Sequence, residues 1–157
     1  MNNFQASVLL LEWGGHVLVV RKKCPSPSPW ACDVALPGGR IKPGETPVEA
    51  ALREAWEEAW VHPSSVDVSG ILGPFQTMRG GIRIAVVTAS ACGPLDPAPR
   101  DPEVDAVLWI PLKSVDNSRP VRHPVRGKVQ GILLPGGLVV WGVTYRILRT
   151  YRGLKGI

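Results

Sequence analysis

Between Gly38 and Val61 the chain reads GGRIKPGETPVEAALREAWEEAWV, and this stretch limits the fold more than any other. Residues 47 to 60 carry the clearest helix signal: Pro47 suits a first turn, Thr46 an N-cap, and Glu49 lies three residues beyond Thr46, as in a capping box. Val48, Ala51, Leu52 and Ala55 give that helix an apolar stripe, which has to be buried against another element. Glu54, Glu57 and Glu58 stand at i, i+3 and i+4, so all three are expected on one face, where like charges repel unless a cation offsets them. Such a cluster is commonly only a solvated helix face. Here it follows LPGG at the end of an apolar run, a richer setting.

The charge is unevenly spread. Residues 39 to 61 set Arg40, Lys42 and Arg53 against Glu45, Glu49, Glu54, Glu57 and Glu58, a net of −2, while the rest of the chain carries +7. An acidic site in a basic protein suits a cation among the carboxylates and an anionic ligand, such as a phosphate ester, drawn in by the surrounding Arg and Lys; a merely basic surface is the alternative. The basic residues are scattered, with no dense stripe and no interleaved aromatics, so a nucleic-acid partner, including RNA binding or cap removal, is not expected. Cys24, Cys32 and Cys92 are odd in number and form no C-x-x-C pair. Neither a disulfide framework nor a zinc site is indicated, and the three are expected to be buried small apolar residues in a reducing compartment. MNNFQASVLLLEWGG lacks a basic n-region and a cleavage site, and no uncharged apolar run reaches bilayer length, so a soluble cytoplasmic protein with no membrane partner is expected.

Along the chain, ASVLLLE and HVLVVR around WGG predict a hairpin over 6 to 21, and the proline-rich KKCPSPSPW predicts a loop over 22 to 30. ACDVALPGGR predicts a short strand ending in a Gly-Gly turn at Gly38 and Gly39. Further strands are expected near 66 to 72, 82 to 89 and 104 to 110. In the last third, RPVRHPVRG is expected to be loop, KVQGILL and LVV to flank PGG as a second hairpin, and WGVTYRILRTYR to be a helix through Val143, Ile147, Leu148 and Tyr151. The sum is an α+β chain, an α/β/α sandwich with a mixed β-sheet between helices, in a single domain over 1 to 157.

Glutamate oxygens are the hard ligands that Mg²⁺ or Mn²⁺ prefers, and Mg²⁺ is usually held by one or two carboxylates with waters and substrate phosphates. Arg53 can orient one carboxylate through a forked hydrogen bond, and Gly39 lets a backbone carbonyl approach the same ion. From Gly39 the spacing is G, five residues, Glu45, seven residues, then REAWEEAWV. This resembles the Nudix box, G-x5-E-x7-R-E-U-x-E-E-x-G-U with U a bulky aliphatic residue, and every charged position matches: Glu45, Arg53, Glu54, Glu57 and Glu58. The resemblance implies the Nudix fold and a divalent-metal-dependent pyrophosphohydrolase acting on a nucleoside diphosphate derivative. By position, Glu54 and Glu58 would be the main metal ligands, Glu57 a further ligand or a base reached through water, and Gly39 a carbonyl ligand. Arg53 would orient the glutamates, and Glu45 would brace loop and helix. Nudix proteins are often dimers, so a homodimer is an expectation of the same kind. Two positions depart from the pattern: Ala55 is small where the box has a bulky residue, and Trp60 replaces its glycine. Either Trp60 takes a left-handed conformation at about 1 kcal/mol or more, or the helix runs on until His62-Pro63 stops it.

Outside the box, VVRKK…W…VALPGGR and VVWGVTYRIL look like the Nudix subgroup that includes coenzyme A pyrophosphatases, although the upstream motif of that subgroup is not intact. Coenzyme A is thus one candidate substrate; a house-cleaning nucleoside triphosphate pyrophosphatase, an ADP-ribose pyrophosphatase and a non-catalytic nucleotide-binding regulatory module are the others. A pure binding module has no need of the repulsive triad. Arg21, Arg40, Arg79 and Arg83 are candidate phosphate contacts or else solvated surface residues, and Glu103 and Asp105 are candidates for a further base or ligand. His16, His62 and His123 show no ligand spacing, and Trp141 reads as part of a helix packed on the sheet.

Overall fold

The computed structural model describes residues 3–156. Strands β1 (Ala6–Trp13) and β2 (His16–Lys22) form the first hairpin, turned at Gly14 and Gly15, which both have positive φ. Beyond the turn the two strands part. β1 runs parallel to β6 (Arg83–Ala91), which pairs antiparallel with β5 (Val66–Gln76). β2 pairs antiparallel with β3 (Val34–Ala35) and β7 (Val104–Pro111), and β4 (Gly38–Arg40) pairs with the start of β1. The result is a mixed seven-stranded sheet.

Both faces of this sheet are covered, which explains why β1 and β2 are apolar at nearly every position rather than at alternate ones. Leu9, Leu11, Leu18 and Val20 point to helix α1 (Pro47–Ala59), where Ala51, Ala55 and Ala59 bring the helix close. Leu10, Val17 and Val19 point the other way, to helix α2 (Gly142–Leu154) and a smaller sheet of β8 (Arg119–His123), β9 (Gly127–Leu134) and β10 (Leu138–Trp141). Leu10 is fully buried, and Leu10→Ala at such a site costs about 2–5 kcal/mol. The small Ala55 is thus accounted for: it is fully buried against the sheet.

The start of α1 follows the sequence reading in detail. Thr46 Oγ1 accepts the Glu49 N–H at 3.1 Å, and Glu49 Oε1 accepts the Thr46 N–H at 2.9 Å. Its end resolves the alternative left open: the helix stops at Ala59 and Trp60 takes the left-handed conformation, φ 59° and ψ 32°. Three further expectations are corrected. Gly38 and Gly39 lie in strand β4 and not in a turn; a Cβ at Gly38 would fall 2.6 Å from Val8 Cα, so close packing, rather than a bend, excludes side chains there. RPVRHPVRG is half strand, because Arg119–His123 pairs with β9 as the edge of the second sheet, where its prolines do least harm. The cysteines are neither all buried nor all free: Cys24 and Cys32 are joined across the proline-rich loop, and Cys92 is exposed. Among the described residues no helix is long and apolar enough to cross a membrane.

Candidate active site

The capping box fixes where α1 begins, and a buried hydrogen bond from Ser7 Oγ to the Pro47 carbonyl, 2.7 Å, ties that start to β1. One turn and a half later Arg53 gathers the acidic loop and helix together. Its Nε donates to Glu45 Oε2 at 2.7 Å and its Nη2 to Glu45 Oε1 at 3.0 Å, a forked pair. Nη1 donates to Glu54 Oε1 at 2.9 Å and lies 3.3 Å from Glu57 Oε2, while Nη2 also reaches the Arg40 carbonyl. The Arg53 fork, with help from the Lys42 N–H, holds the Glu45 carboxyl down at about 2. The same carboxylates hold Arg53 above its ordinary value.

The glutamate triad divides. Glu54 and Glu58, one turn apart, line a cavity of about 270 Å³ together with Lys22, Gly38, Asp101 and Glu103. Glu57 does not line it and is half exposed, because on a helix it is turned about 100° from Glu58. Glu57 stays beside Glu54 through Arg53 Nη1, so the three carboxylates share one side of α1 while Glu54 and Glu58 line the cavity. Gly39 lies against Glu54, where a Cβ would fall 2.7 Å from Oε1.

Glu58 is the unusual group. Its side chain is 6% exposed, yet its partners are a long hydrogen bond from the Gly38 N–H at 3.4 Å and Lys22 Nζ at 3.8 Å. Burial, reinforced by Glu54 and Asp101 and opposed by Lys22, pushes its carboxyl up to about 7. Among the described residues no three His, Cys, Asp or Glu side chains converge closely enough to hold a metal, and Glu54 bonds Arg53. The donor set nevertheless fits a divalent ion in kind. It offers only hard oxygens, and a buried carboxylate without adequate counter-charge is what such an ion would satisfy.

Of the other sequence candidates, Glu103 lines the carboxylate cavity and Arg79 lines a second cavity of about 500 Å³. Arg21 and Asp105 instead satisfy each other in a forked pair, 2.8 and 2.9 Å, which accounts for both charges. Arg83 donates to the Asn3 carbonyl and braces the entry to β1, and Arg40 is exposed outside both cavities. His16 and His62 bond locally, to Gly14 and Ser64. Sequence reasoning passed over Asp101, though the run DPEVD carries three acids in five positions, and over Lys22 and Trp30, which line both cavities. It also left out Asp33 and Arg126, and found no ligand spacing for His123; Asp33 and Arg126 meet Trp141, and His123 meets Asp33, only through the fold.

The family model of the NUDIX domain matches residues 1–130. The chain belongs to the Nudix family. An uncharacterized Nudix hydrolase NudL of Cronobacter sakazakii is 30% identical over 157 residues, covering 95% of this chain and 81% of the relative. The NudL of Escherichia fergusonii is 34% identical over 76% of this chain; the match spans 65% of that protein, and 17% of a Bifidobacterium longum nucleoside triphosphate pyrophosphatase/Nudix hydrolase fusion protein. Solved Nudix structures share the fold. RenU of M. smegmatis superposes with a TM-score of 0.65 at 24% identity, covering 96% of this chain and 86% of its own. A C. elegans Ap4A hydrolase superposes with a TM-score of 0.63 at 17% identity, covering 98% of this chain and 100% of its own. The Nudix domain of Shewanella oneidensis NrtR, solved with ADP ribose, gives 0.60 at 18% identity, covering 99% and 90%. The α+β sandwich with a mixed sheet is the fold of this Nudix chain.

Proposed function

We propose that this Nudix chain is a divalent-metal-dependent pyrophosphohydrolase that cleaves the diphosphate linkage of a nucleoside diphosphate derivative, with coenzyme A, ADP-ribose and dinucleoside polyphosphates as candidate substrates. The observation that carries this reading is the under-compensated carboxylate of Glu58 beside Glu54, Asp101 and Glu103, in a chain that is otherwise basic. Glu54 and Glu58 would hold Mg²⁺ or Mn²⁺, with Glu57 and the Gly39 carbonyl as further ligands. Bound there, the ion would polarise a phosphoryl oxygen and neutralise charge on the leaving phosphate. Lys22, at the junction of the two cavities, offers a cation for a diphosphate oxygen. Arg53, fixed by Glu45, limits the rotamers open to Glu54 and keeps α1 registered on the loop before it. Glu57, half exposed, and Glu103, within the cavity, would be the carboxylates that take a proton from water. The same reading treats 1–157 as one domain acting in the cytoplasm, and as a homodimer with a small-molecule rather than a nucleic-acid partner.

The test is hydrolysis of coenzyme A, ADP-ribose, NADH, diadenosine polyphosphates and nucleoside triphosphates with Mg²⁺ or Mn²⁺, comparing the parent chain with Glu58→Gln. Metal-dependent turnover that falls at least about 100-fold in the variant is expected, since loss of even an outer partner of a metal ligand costs 10- to 100-fold. Release of inorganic pyrophosphate from a triphosphate would assign the house-cleaning reaction instead. Absence of metal-dependent turnover across the panel would sink the hydrolase reading in favour of a nucleotide-binding module.

A further inference from the structure

The loop between β2 and β3 forms a wall of both cavities. Trp30 lines each of them, Lys23, Ser28 and Ala31 line the carboxylate cavity, and Asp33 lines the larger one. Its middle, PSPSP, is too rich in proline to collapse, so once released it moves as a stiff arm about its two ends.

Those ends are held in two ways. In the backbone, the Lys22 N–H donates to the Asp33 carbonyl at 2.8 Å, the Cys32 N–H to the Lys23 carbonyl at 3.3 Å, and the Lys23 N–H to the Glu103 carbonyl at 2.7 Å. Beside them the Cys24–Cys32 disulfide spans the neck of the loop, with 4.6 Å between the two Cα atoms. The pairing of β2 with β3 and with β7 lies on the sheet side of that bond, so opening it leaves the sheet intact. The change falls on the loop side. Cys32 is held at φ 67°, a left-handed conformation that a residue with a side chain keeps only where its surroundings impose it. It directly follows Ala31 and directly precedes Asp33, so relaxation at Cys32 displaces the walls of both cavities together. Trp30 moves with them, because its carbonyl accepts the Asp33 N–H at 3.1 Å and its ring, 54% exposed, has little packing to hold it.

The two cysteines differ in access: Cys24 is partly exposed and Cys32 is buried. A small thiolate therefore attacks Cys24 Sγ, the protein S–S bond breaks, and Cys32 leaves as the thiolate. A second small thiolate attacks the outer sulfur of the mixed disulfide and frees Cys24. Two electrons pass to the protein, the two protons of the small thiols end on the cysteines, and one small-molecule disulfide is released.

We propose that Cys24 and Cys32 form a redox latch. Joined, they fix Trp30 and Ala31 as the wall between the cavities; reduced by a small thiol, they free the loop to swing out and weaken substrate binding. The effect on substrate rests on the hydrolase reading above, whereas the switching of the loop does not.

The experiment uses the full chain carrying Cys92→Ser, which removes the exposed third thiol, equilibrated in mixtures of reduced and oxidised glutathione. Chymotrypsin cleavage of the Trp30–Ala31 bond, followed by mass after denaturation and reduction, is expected to be at least about tenfold faster in the reduced protein, since cleavage tracks the population of the open loop. In the reduced protein KM for whichever diphosphate substrate is turned over should rise about threefold to tenfold with kcat within about twofold. Cys24→Ser should match the reduced protein in both readouts and ignore the glutathione ratio. A disulfide that stays formed in excess reduced glutathione until the chain unfolds is a fixed staple and overturns the proposal, as do equal cleavage rates in the two redox states. Redox-dependent cleavage in a chain that hydrolyses nothing upholds the latch while the hydrolase reading fails; turnover with a KM indifferent to the redox state overturns the latch while the hydrolase reading stands.

Discussion

The two adjoining cavities are built in opposite ways. The carboxylate cavity takes Gly38, Glu54 and Glu58 from one continuous stretch, in which Arg53 bonds Glu45 eight residues before it and Glu54 beside it, and its remaining charges from Lys22, Lys23, Asp101 and Glu103. The larger cavity is assembled from segments around residues 22, 30–35, 77–79, 126–129 and 141–144, so each wall depends on the packing of a different element. Local bracing makes the first vulnerable to single charge changes. Distributed construction makes the second vulnerable to fold-level disturbance and insensitive to those same changes.

Arg53→Ala is the sharpest way to separate them and carries the largest expected effect. It removes the one cation among the described residues that is bonded to Glu45, Glu54 and Glu57 together. Metal-dependent turnover should fall about 100-fold or more, and thermal stability in chelator should drop by about 1–3 kcal/mol, toward the low end because Arg53 is about one-fifth exposed. Divalent metal should restore part of the lost stability by replacing the missing positive charge. Packing around the larger cavity, which Arg53 does not line, should be unchanged by near-ultraviolet circular dichroism. A changed aromatic signal in a folded variant would show that the cavities are one mechanical unit.

The second prediction turns on charge rather than packing. Burial raises Glu58 from 4.5 to about 7, so between those values the native state holds a proton that the unfolded chain gives up. Its stabilising contribution is full below pH 4.5 and is lost as pH rises through 7, a swing of about 3 kcal/mol for the metal-free protein. Glu45 has the opposite sign: depressed to about 2, it contributes above pH 4.5 and loses that contribution as pH falls toward 2. Thermal melts in chelator from pH 5 to 8.5 should fall with rising pH in the parent chain. Glu58→Gln should flatten that limb and be the more stable protein at pH 8, while being the inactive one. An equal slope in both proteins would remove Glu58 as its source.

The same contrast explains what could be read before the fold was known. Glu45, Arg53, Glu54 and Glu58 act at helical or loop spacing, so sequence alone places them; the capping box of Thr46 and Glu49 is legible for the same reason. The hairpins and the strands near 66, 82 and 104 were legible as apolar β-branched runs. Asp33 with Trp141, 108 positions apart, leaves no local signature, and neither does the pairing of Arg21 with Asp105, 84 apart, which turned two site candidates into one structural ion pair. β8 was hidden because prolines argue against a strand in general but are tolerated on an edge. Glu57 looked equivalent to Glu58 only because sequence spacing ignores which side of α1 meets the sheet.

Trp60→Gly, which restores the glycine of the Nudix pattern, should have the smallest effect. Left-handed Trp60 costs about 1–2 kcal/mol, which glycine would recover. Against this, Trp60 meets Trp56 edge to face at 5.2 Å, and the Arg100 guanidinium lies 4.1 Å from the Trp60 ring and 4.3 Å from Trp56. Those contacts are worth about 0.5–1.5 kcal/mol for the ring pair and about 0.5–1 kcal/mol for an exposed cation–π contact. Arg100 would keep Trp56 and its 3.1 Å hydrogen bond to the Trp56 carbonyl, so the end of α1 stays capped. The opposing amounts nearly cancel, and the melting free energy should change by less than about 1 kcal/mol. Neither cavity includes Trp60, so turnover should stay within about twofold of the parent chain. A larger change in turnover alone would mean that the C-terminal turn of α1 positions Glu58, two residues earlier, and that the local bracing of the carboxylate cavity reaches further along the helix than Arg53.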